Sequence, residues 1–372
     1  MNAPKLRFKE FNDEWISQKL FQLVEFSKGN ILAKADLDET GNYPCILYGQ
    51  LYTKYNEVIR EVYSKTNRNE NNIPKSKKGD VLIPSSGETP IDISTSSCIQ
   101  IDNVLLGGDI NILRPISCDG RFLSYLINNN KKTEIAKVAQ GHSVVHLYND
   151  NLKQISINIP SVQEQKRISD TLELLDKKIE LQSKKIEDLK LFKLCNYDNL
   201  FSNQTHEVQL KNISKIEKGK QLNNELLIEN GSYYMLNGGV SPSGYTNEYN
   251  ANENTITISE GGNSCGYVNF NKNKFWCGGH CYKVIPNGIN NNYLYHNLKY
   301  NEKKIMDLRV GSGLPNIQKK DIENFKISIH NENEQLKISN YFDRYDLKIE
   351  LEELKLNKLI ELKKGLMQNM FV

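Results

Sequence analysis

A short cysteine-rich segment is the most obvious candidate for chemistry in this 372-residue chain. It reads CGGHC and contains Cys277, His280 and Cys281, with Cys265 upstream. Two thiolates, an imidazole and a further cysteine could complete a tetrahedral zinc site. The spacing does not suit such a site, because His280 and Cys281 are adjacent and the corresponding LGGD stretch of the first half has neither cysteine nor histidine. We therefore expect buried strand cysteines and no metal.

Catalytic signatures are missing from the sequence. There is no G-x-x-x-x-G-K-[ST] segment for a nucleotide-driven motor and no Asn/Asp-Pro-Pro-Tyr/Phe segment of an amino-methyltransferase. The stretch IEDLK has a carboxylate two residues before a lysine, as nuclease cores do, but it belongs to a helix whose surface should be charged. We expect a chain that is not an enzyme.

Three pairs of loops combine glycine with small polar or basic side chains, which suits contact with nucleic acid. Glycine frees the backbone, hydroxyl and amide groups supply hydrogen bonds, and lysine can contact phosphate. The candidates are Lys28, Gly29, Ser85, Ser86, Gly87, Glu88, Thr89, His142 and Ser143 in the first half, and Lys218, Gly219, Lys220, Gln221, Ser259, Glu260, Gly261, Gly262, Asn263, Ser312 and Asn316 in the second. Asparagine and glutamine suit adenine edges. Each loop could equally be an ordinary hairpin turn.

These loops recur because the chain contains an internal repeat. EQKRISDTLELLDKKIEL (164–181) and EQLKISNYFDRYDLKIEL (334–351) share nine of eighteen positions at an offset of 170. The strand-like segments LKQISINIP and IENFKISIH precede them at the same offset. Further upstream, VLIPSSGE (81–88) matches TITISEGG (255–262). The sequence predicts two copies of one strand-rich domain, each followed by a long helix.

The two predicted helices run from Val162 to about Phe201 and from Asn331 to Phe371. Their apolar residues follow spacings of three and four, which predict a seam. The seam residues are Ile168, Leu172, Leu175, Ile179, Ile186 and Leu189, and Ile338, Phe342, Tyr345, Ile349, Leu356 and Leu359. Polar residues interrupt both copies at matching places, where they can fix the register. They are Gln182 with Glu352 and Lys193 with Lys363.

The fold class expected from this pattern is α+β. Two similar globular domains, each with a twisted, mostly β sheet and Gly-rich loops, are separated by a pair of long antiparallel coiled-coil helices with pseudo-twofold symmetry. The expected segments are domain 1 (1–160), a spacer helix (161–202), domain 2 (203–330) and a C-terminal spacer helix (331–372). Alternatively, the helices pair between chains or cap their own domains.

Charge and composition leave the partner open. With 48 basic and 45 acidic side chains, the net charge of +3 is far below that of a wholly basic nucleic-acid binder. No apolar run approaches the length of a membrane span, and the N-terminus lacks the apolar core of a signal peptide. Seven irregularly spaced cysteines indicate reduced thiols. We expect a cytoplasmic protein that does not associate with membranes.

The segments PKLRFKEFNDEWISQKLFQLVEFSKG, ISINIPSVQEQKRI, FKISIHNENEQLKI and GSGLPNI together resemble the specificity (S) subunit of Type I restriction-modification systems, over the whole chain. The resemblance implies that each globular domain is a target recognition domain for one half of a split sequence in double-stranded DNA. It implies that the helices set the spacer length and dock two methyltransferase (M) subunits, and that restriction (R) subunits join the assembled complex.

The resemblance also indicates where cofactors belong. It implies S-adenosylmethionine on the M subunit, ATP and Mg on the R subunit, and no cofactor on this chain. Glu180, Lys184, Glu350 and Lys355 on the charged helix faces are candidates for facing M subunits.

An interaction scaffold, whose paired domains hold protein or glycan ligands, is the alternative function. Phosphate contacts release counterions, so affinity that falls steeply with salt would favour DNA recognition and a flat dependence would favour the scaffold.

Overall fold

The computed structural model describes residues 3–68, 71–141, 144–202, 206–311 and 313–372. The chain forms two compact units. The first is Met1–Gln182 with Lys355–Val372, and the second is Ser183–Leu354. Each unit therefore contains one globular domain together with parts of both long helices.

The described part of the first unit, whose first strand begins at Ile16, contains twelve strands. The strands are Ile16–Lys19 (β1), Val24–Lys28 (β2), Tyr43–Ile46 (β3), Val58–Ile59 (β4), Ser64–Thr66 (β5), Val81–Pro84 (β6), Ser86–Gly87 (β7), Ser97–Ile99 (β8), Leu105–Leu106 (β9), Ile110–Pro115 (β10), Val145–His146 (β11) and Ser156–Ile159 (β12). The helices are Gln50–Thr53 (α1), Gly120–Leu126 (α2), Lys132–Val138 (α3), Asn149–Lys153 (α4) and the first part of Val162–Phe201 (α5).

The second unit has nine strands in the part of the chain that the structure describes. They are Glu207–Gln209 (β13), Ser214–Lys218 (β14), Tyr233–Leu236 (β15), Gly244–Thr246 (β16), Thr255–Ser259 (β17), Val268–Asn271 (β18), Trp276–Cys277 (β19), Cys281–Pro286 (β20) and Lys326–Ser328 (β21). The shorter helices are Leu210–Ile213 (α6), Asn291–Tyr300 (α7), Glu302–Met306 (α8) and Lys319–Asn324 (α9), and Glu332–Met370 (α10) ends the series.

The two units have closely related sheet topologies, and the main sheet of the first has one additional strand, β4. The main sheet has the order β2-β10-β6-β8-β4 in the first unit and β14-β20-β17-β18 in the second. A three-stranded sheet accompanies each, β5-β3-β9 and β16-β15-β19, with the β3–β9 and β15–β19 pairs parallel. A two-stranded sheet, β1-β12 or β13-β21, completes the pattern. The repeat and the α+β class predicted from the sequence are confirmed.

Strand register corrects one detail of the repeat. Ile110 of β10 lies opposite Pro84, and Cys281 of β20 lies opposite Ser259. Positions 110 and 281 are equivalent, because β10 pairs with β2 and β20 pairs with β14 in matching register. Position 84 is therefore equivalent to position 259, an offset of 175. The match of VLIPSSGE with TITISEGG uses an offset of 174 and is wrong by one residue. The residue types alone could not reveal this shift of one residue, because both segments contain serine and glycine near the aligned positions.

The long helices begin where local hydrogen bonds can cap them. The side chains of Ser161 and Asn331 accept hydrogen bonds from the backbone N–H groups of Glu164 and Glu334, at 3.4 and 3.1 Å. Such caps satisfy donors that the first turn leaves free. Helix α5 has the predicted bounds, and α10 begins and ends one residue inside them.

A buried glutamine locks each corner between strand and helix. Gln165 donates to the Pro160 carbonyl and accepts from the Asp119 N–H, both at 2.8 Å. In the second unit Gln335 donates to the His330 carbonyl at 2.8 Å and accepts from the Asn290 N–H at 3.3 Å. These contacts give the glutamine of the repeated Glu-Gln motif a structural role, since an unpaired amide buried here would be destabilising.

The seam positions lie on the covered face of each helix. Every predicted seam residue is buried or half-buried. In the first unit Ile168 and Leu172 join the main core with Met367 and Phe371 of the C-terminal segment. In the second unit Phe342 packs with Tyr197 and Phe201.

Charged pairs occupy the polar interruptions of the seam. In the first unit the Lys363 Nζ lies 2.7 Å from Asp176 and 2.9 Å from Glu57. In the second unit Lys193 pairs with Asp346, and Lys185 lies 2.8 Å from Glu352. Residue numbers rise along α5 as they fall along α10, so the helices are antiparallel within this unit.

Within the described ranges, no helix is both long and apolar enough to cross a membrane.

Candidate nucleic-acid interface

Three loops of the first unit meet at one edge of its main sheet. We call residues 28–30, 85–89 and 140–149 its first, second and third loops. The Leu147 N–H of the third loop donates to the Ser85 carbonyl at 3.0 Å, and the Ser86 Oγ lies 3.0 Å from the His146 Nδ1. The Lys28 ammonium lies 5.7 Å from the centroid of the Tyr148 ring. Residues far apart in sequence thus form one surface.

Only part of this predicted set faces solvent. Lys28, Glu88 and Thr89 are exposed, and the Thr89 hydroxyl donates to Asp92 at 2.6 Å. Ser85 and Ser86 are buried, which favours a structural role. The predicted loop at this point is partly a strand, β7, because residues 86–87 pair with β11.

The glycines of this surface are required for packing. Gly87 is buried, and a Cβ added there would lie 2.5 Å from the Ile93 side chain. A Cβ added at Gly29 would lie 1.8 Å from the Gly107 carbonyl oxygen.

The same three loops meet in the second unit, around a carboxylate. Its first, second and third loops are residues 218–221, 259–263 and 310–317. The Glu260 carboxylate accepts from the Lys218 Nζ at 2.7 Å and from the Tyr282 hydroxyl at 2.8 Å. The Glu260 carbonyl accepts from the Ile317 N–H at 2.8 Å. Burial and the Glu260 carboxylate raise the pKa of Tyr282, so its hydroxyl remains a donor.

The second unit exposes more of its predicted residues than the first. Lys218, Lys220, Gln221, Asn263 and Asn316 are exposed, and these are the side chains that a ligand could reach.

The remaining predicted residues of this surface serve the local backbone. Ser259 is buried, and its hydroxyl donates to the Gly238 carbonyl. Gly261 is bridged to Asn316, and Gly262 has a φ of +75°. A Cβ at Gly219 would lie 2.1 Å from the Gly278 carbonyl oxygen, so this glycine allows a close backbone approach.

His142, Ser143 and Ser312 lie outside the described residues. The flanking backbone closes each third loop in the same way. Gln140 is bridged to His146 in the first unit, and Val310 is bridged to Asn316 in the second.

A cavity of about 470 Å³ lies beside the first loop of the second unit. Five lysines, one glutamate and one asparagine supply its polar lining, namely Lys215, Lys218, Lys220, Lys283, Lys319, Glu217 and Asn250. Glu217 accepts from Lys215 at 2.6 Å and lies 3.3 Å from the Lys283 Nζ. These hydrogen bonds lower the pKa of Glu217. Sequence reasoning found only Lys218 and Lys220, because Lys283 is brought to them by the pairing of β20 with β14 and Lys319 by the position of α9.

The cysteine-rich segment 277–281 is hydrogen-bonded to the backbone of the first loop of the second unit. Cys277 and Cys281 are buried in β19 and β20, as predicted, whereas the buried Cys265 lies in a turn rather than a strand. A hydrogen bond to Cys281 and burial raise the pKa of Cys277. The Cys281 carbonyl accepts from the Gly219 N–H at 2.8 Å, and the Cys277 carbonyl accepts from the Lys220 N–H at 2.9 Å.

All seven cysteines are free. Among the described residues, no group of three or more histidine, cysteine, aspartate or glutamate side chains is arranged to hold a metal.

The helix residues predicted to face partners are all exposed, namely Glu180, Lys184, Glu350 and Lys355. Glu350 pairs with Lys272 at 2.5 Å.

The family follows from comparison with known sequences. The profile described as "Type I restriction modification DNA specificity domain" matches residues 12–191 and 203–362. The chain belongs to this family. The two matches correspond to the two repeats, which fits a specificity chain with two target recognition domains.

Individual relatives agree with this assignment. A protein of Mycoplasma pneumoniae named as a type I specificity subunit is 36% identical over 172 residues, 45% of this chain and 44% of that protein. A specificity subunit of Methanocaldococcus jannaschii is 24% identical over 408 residues, 98% of this chain and 95% of the relative. The matched segments of the first two relatives make up less than half of each relative.

Solved structures share the fold. The crystal structure of a Type I restriction-modification S subunit from M. genitalium matches with a TM-score of 0.75 and 21% identity, over 100% of this chain and 99% of the other. A chain from a structure that concerns complex assembly and conformational transition of the type I system matches with a TM-score of 0.55 and 15% identity, over 96% and 97%.

Proposed function

We propose that this chain is the non-catalytic DNA-recognition subunit of a type I restriction-modification complex. The observation that supports it most directly is the repeated convergence of three loops, made in both units by one backbone hydrogen bond. The Leu147 N–H donates to Ser85 in one unit, and the Ile317 N–H donates to Glu260 in the other. A rigid frame that carries variable polar side chains suits the reading of base edges.

The target that we propose is bipartite and asymmetric. The frame is repeated, but the side chains at equivalent positions differ: Ser85 corresponds to Glu260, and Asn111 corresponds to Tyr282. Two surfaces with different donors and acceptors would bind different base sequences. Each unit therefore reads its own half-site, and the long helices set the spacer between the half-sites.

The long helices also supply a surface for the M subunits. Apolar side chains stay exposed on them, namely Leu174, Leu181, Leu191, Leu194, Leu347, Leu351, Leu354, Ile360 and Leu362. Exposed leucines on a charged helix favour a protein partner. In the proposed complex the M subunits carry S-adenosylmethionine, and the R subunits carry ATP and Mg.

Co-expression with an M subunit, followed by genome-wide mapping of methylated adenines, tests this function. We expect a split, asymmetric motif with a fixed spacer. Replacement of residues 203–330 by the matching segment of another family member should change one half-site and leave the other intact. Continuous motifs, or changes in both half-sites, would contradict the division of labour.

The spacer role has its own test. One heptad inserted in each long helix, in register with the seam, lengthens each helix by about 10 Å. We expect a longer spacer with unchanged half-sites. An insertion of matching length in the exposed loop between β15 and β16 is the control, and it should leave the spacer as it is.

A further inference from the structure

We call the cavity lined by five lysines in the second unit the lysine cavity, and most of these lysines are replaced in the first unit. Strand register places Lys218 opposite Tyr282 and Lys28 opposite Asn111, so positions 218 and 28 are equivalent. In this register Lys215 corresponds to Glu25, Lys220 to Asn30 and Lys283 to Ile112. Lys319 lies two residues after Ile317, and Asn149 lies two residues after the equivalent Leu147, so Lys319 corresponds to Asn149. Four of the five lysines are therefore specific to the second unit.

The ammonium groups are positioned but accessible. Side chains of Lys215, Lys218 and Lys319 are 74%, 53% and 50% exposed, although each has a carboxylate within 3.3 Å. Ion pairs at such exposure contribute little, so a phosphate can replace the carboxylate. The Lys220 side chain is exposed as well. The Lys283 side chain is only 17% exposed, and its Nζ lies 3.3 Å from Glu217.

We propose that this cavity binds phosphates of the DNA backbone, and that the second unit supplies most of the salt-dependent affinity of the whole chain. The inference rests on the proposed function. Phosphate contact carries no sequence information but fixes the position of a protein on the duplex. The second unit is thus the electrostatic anchor, and the first unit contributes mainly its base contacts.

The test uses the full chain and a random-sequence duplex of about 30 base pairs, three helical turns. The cavity variant is K215Q/K220Q/K319Q, which leaves Lys218 to pair with the buried Glu260 and leaves Lys283 to pair with Glu217 when Lys215 is replaced. Binding is measured against salt concentration. Each lost phosphate contact lowers the log–log slope by about 0.9, so we expect a fall of about 2 to 3.

A matched variant controls for total charge. Lys303, Lys304 and Lys326 are exposed in the same unit and do not line the cavity. K303Q/K304Q/K326Q removes the same charge and should keep the wild-type slope. Equal effects of the two triple variants would overturn the proposal, since only overall charge would then matter.

Addition of charge to the first unit provides an independent measurement. Glu25 and Asn30 are exposed, and E25K/N30K creates there the lysines of the second unit. We expect a slope that is steeper by about 1 to 2. A wild-type chain that binds duplex DNA, with a cavity variant of unchanged slope and unchanged thermal unfolding, would refute the anchor and leave DNA recognition intact. A wild-type chain that binds no duplex even at low salt would refute both.

Discussion

Substitution of Lys363 tests how charges are accommodated in the helix seam. Its ammonium group pairs with Asp176 at 2.7 Å and Glu57 at 2.9 Å, and the Tyr125 hydroxyl donates to Asp176 at 2.5 Å. Burial lowers the pKa of Lys363, but the two carboxylates outweigh it and raise the pKa above its ordinary value. Lysine is therefore charged here, and K363M leaves two carboxylates without their cation.

The expected loss can be scaled from burial. Removal of one partner from a fully buried pair costs about 3 to 5 kcal/mol. Asp176 and Glu57 are 28% and 17% exposed, and solvent screening reduces the cost. We expect K363M to destabilise the first unit by about 2 to 3 kcal/mol near neutral pH.

The loss should shrink in acid. Burial already raises the pKa of Asp176, and removal of the neighbouring cation raises it further. A carboxyl group with a folded pKa above its unfolded value binds protons in the folded state, so acid stabilises the variant relative to wild type between those two values. The difference in unfolding free energy should therefore be smaller at pH 5 than at pH 7.5.

Trp15 provides the assay. The chain has two tryptophans, Trp15 in the first unit and Trp276 in the second, so a W276F background makes fluorescence report on the first unit alone. Urea unfolding of K363M and K363M/D176N is followed at both pH values. The double variant should recover part of the loss, because one unpaired charge is gone. A pH-independent difference, with no recovery, would refute the reasoning.

Three further outcomes are expected in the second unit. F342A removes a fully buried ring and should cost about 3 to 5 kcal/mol in urea unfolding. G219A places a Cβ 2.1 Å from a backbone oxygen, so it should destabilise more than G262A, which meets open space and carries only about 1 kcal/mol of strain; thermal unfolding compares them. Burial lowers the pKa of His296 and so favours its neutral ring in the folded state. The stability that this provides is present above about pH 6.5 and is lost as pH falls. Between pH 8 and 5 the melting temperature of H296Q should therefore depend less on pH than that of the wild type. Equal pH dependence of H296Q and wild type would contradict the last prediction.

The repeat made much of the architecture predictable. The repeat at one offset predicted two long helices that begin at Val162 and near Asn331, because an apolar spacing of three and four residues extends over many turns. Burial of Ser85 and Ser86 was not predictable. A serine pair before glycine is typical of a turn. Here, however, residues 86–87 pair with β11, and the Ser86 hydroxyl shares a hydrogen bond with His146.

The lysine cavity shows a different limit of sequence reasoning. Lys283 lies opposite Glu217 because β20 pairs with β14 in one particular register, and Lys319 joins them from the start of α9. Separations of 66 and more residues carry no local signal of this kind. A shift of the pairing by one residue would turn Lys283 to the other face of the sheet.

The frame and the variable side chains are separable in this fold. In the first unit the Asn111 amide donates to the Leu147 carbonyl at 2.9 Å, and in the second the Tyr282 hydroxyl, which donates to Glu260 at 2.8 Å, also lies 3.2 Å from the Ile317 carbonyl oxygen. Different side chains at one position thus lie against the same carbonyl of the third loop. The backbone hydrogen bond between the second and third loops is also repeated. Exposed residues around it can therefore change without loss of the loop arrangement. Such a design allows the two copies of the domain to present different exposed side chains while the helix corners and the seam stay as they are.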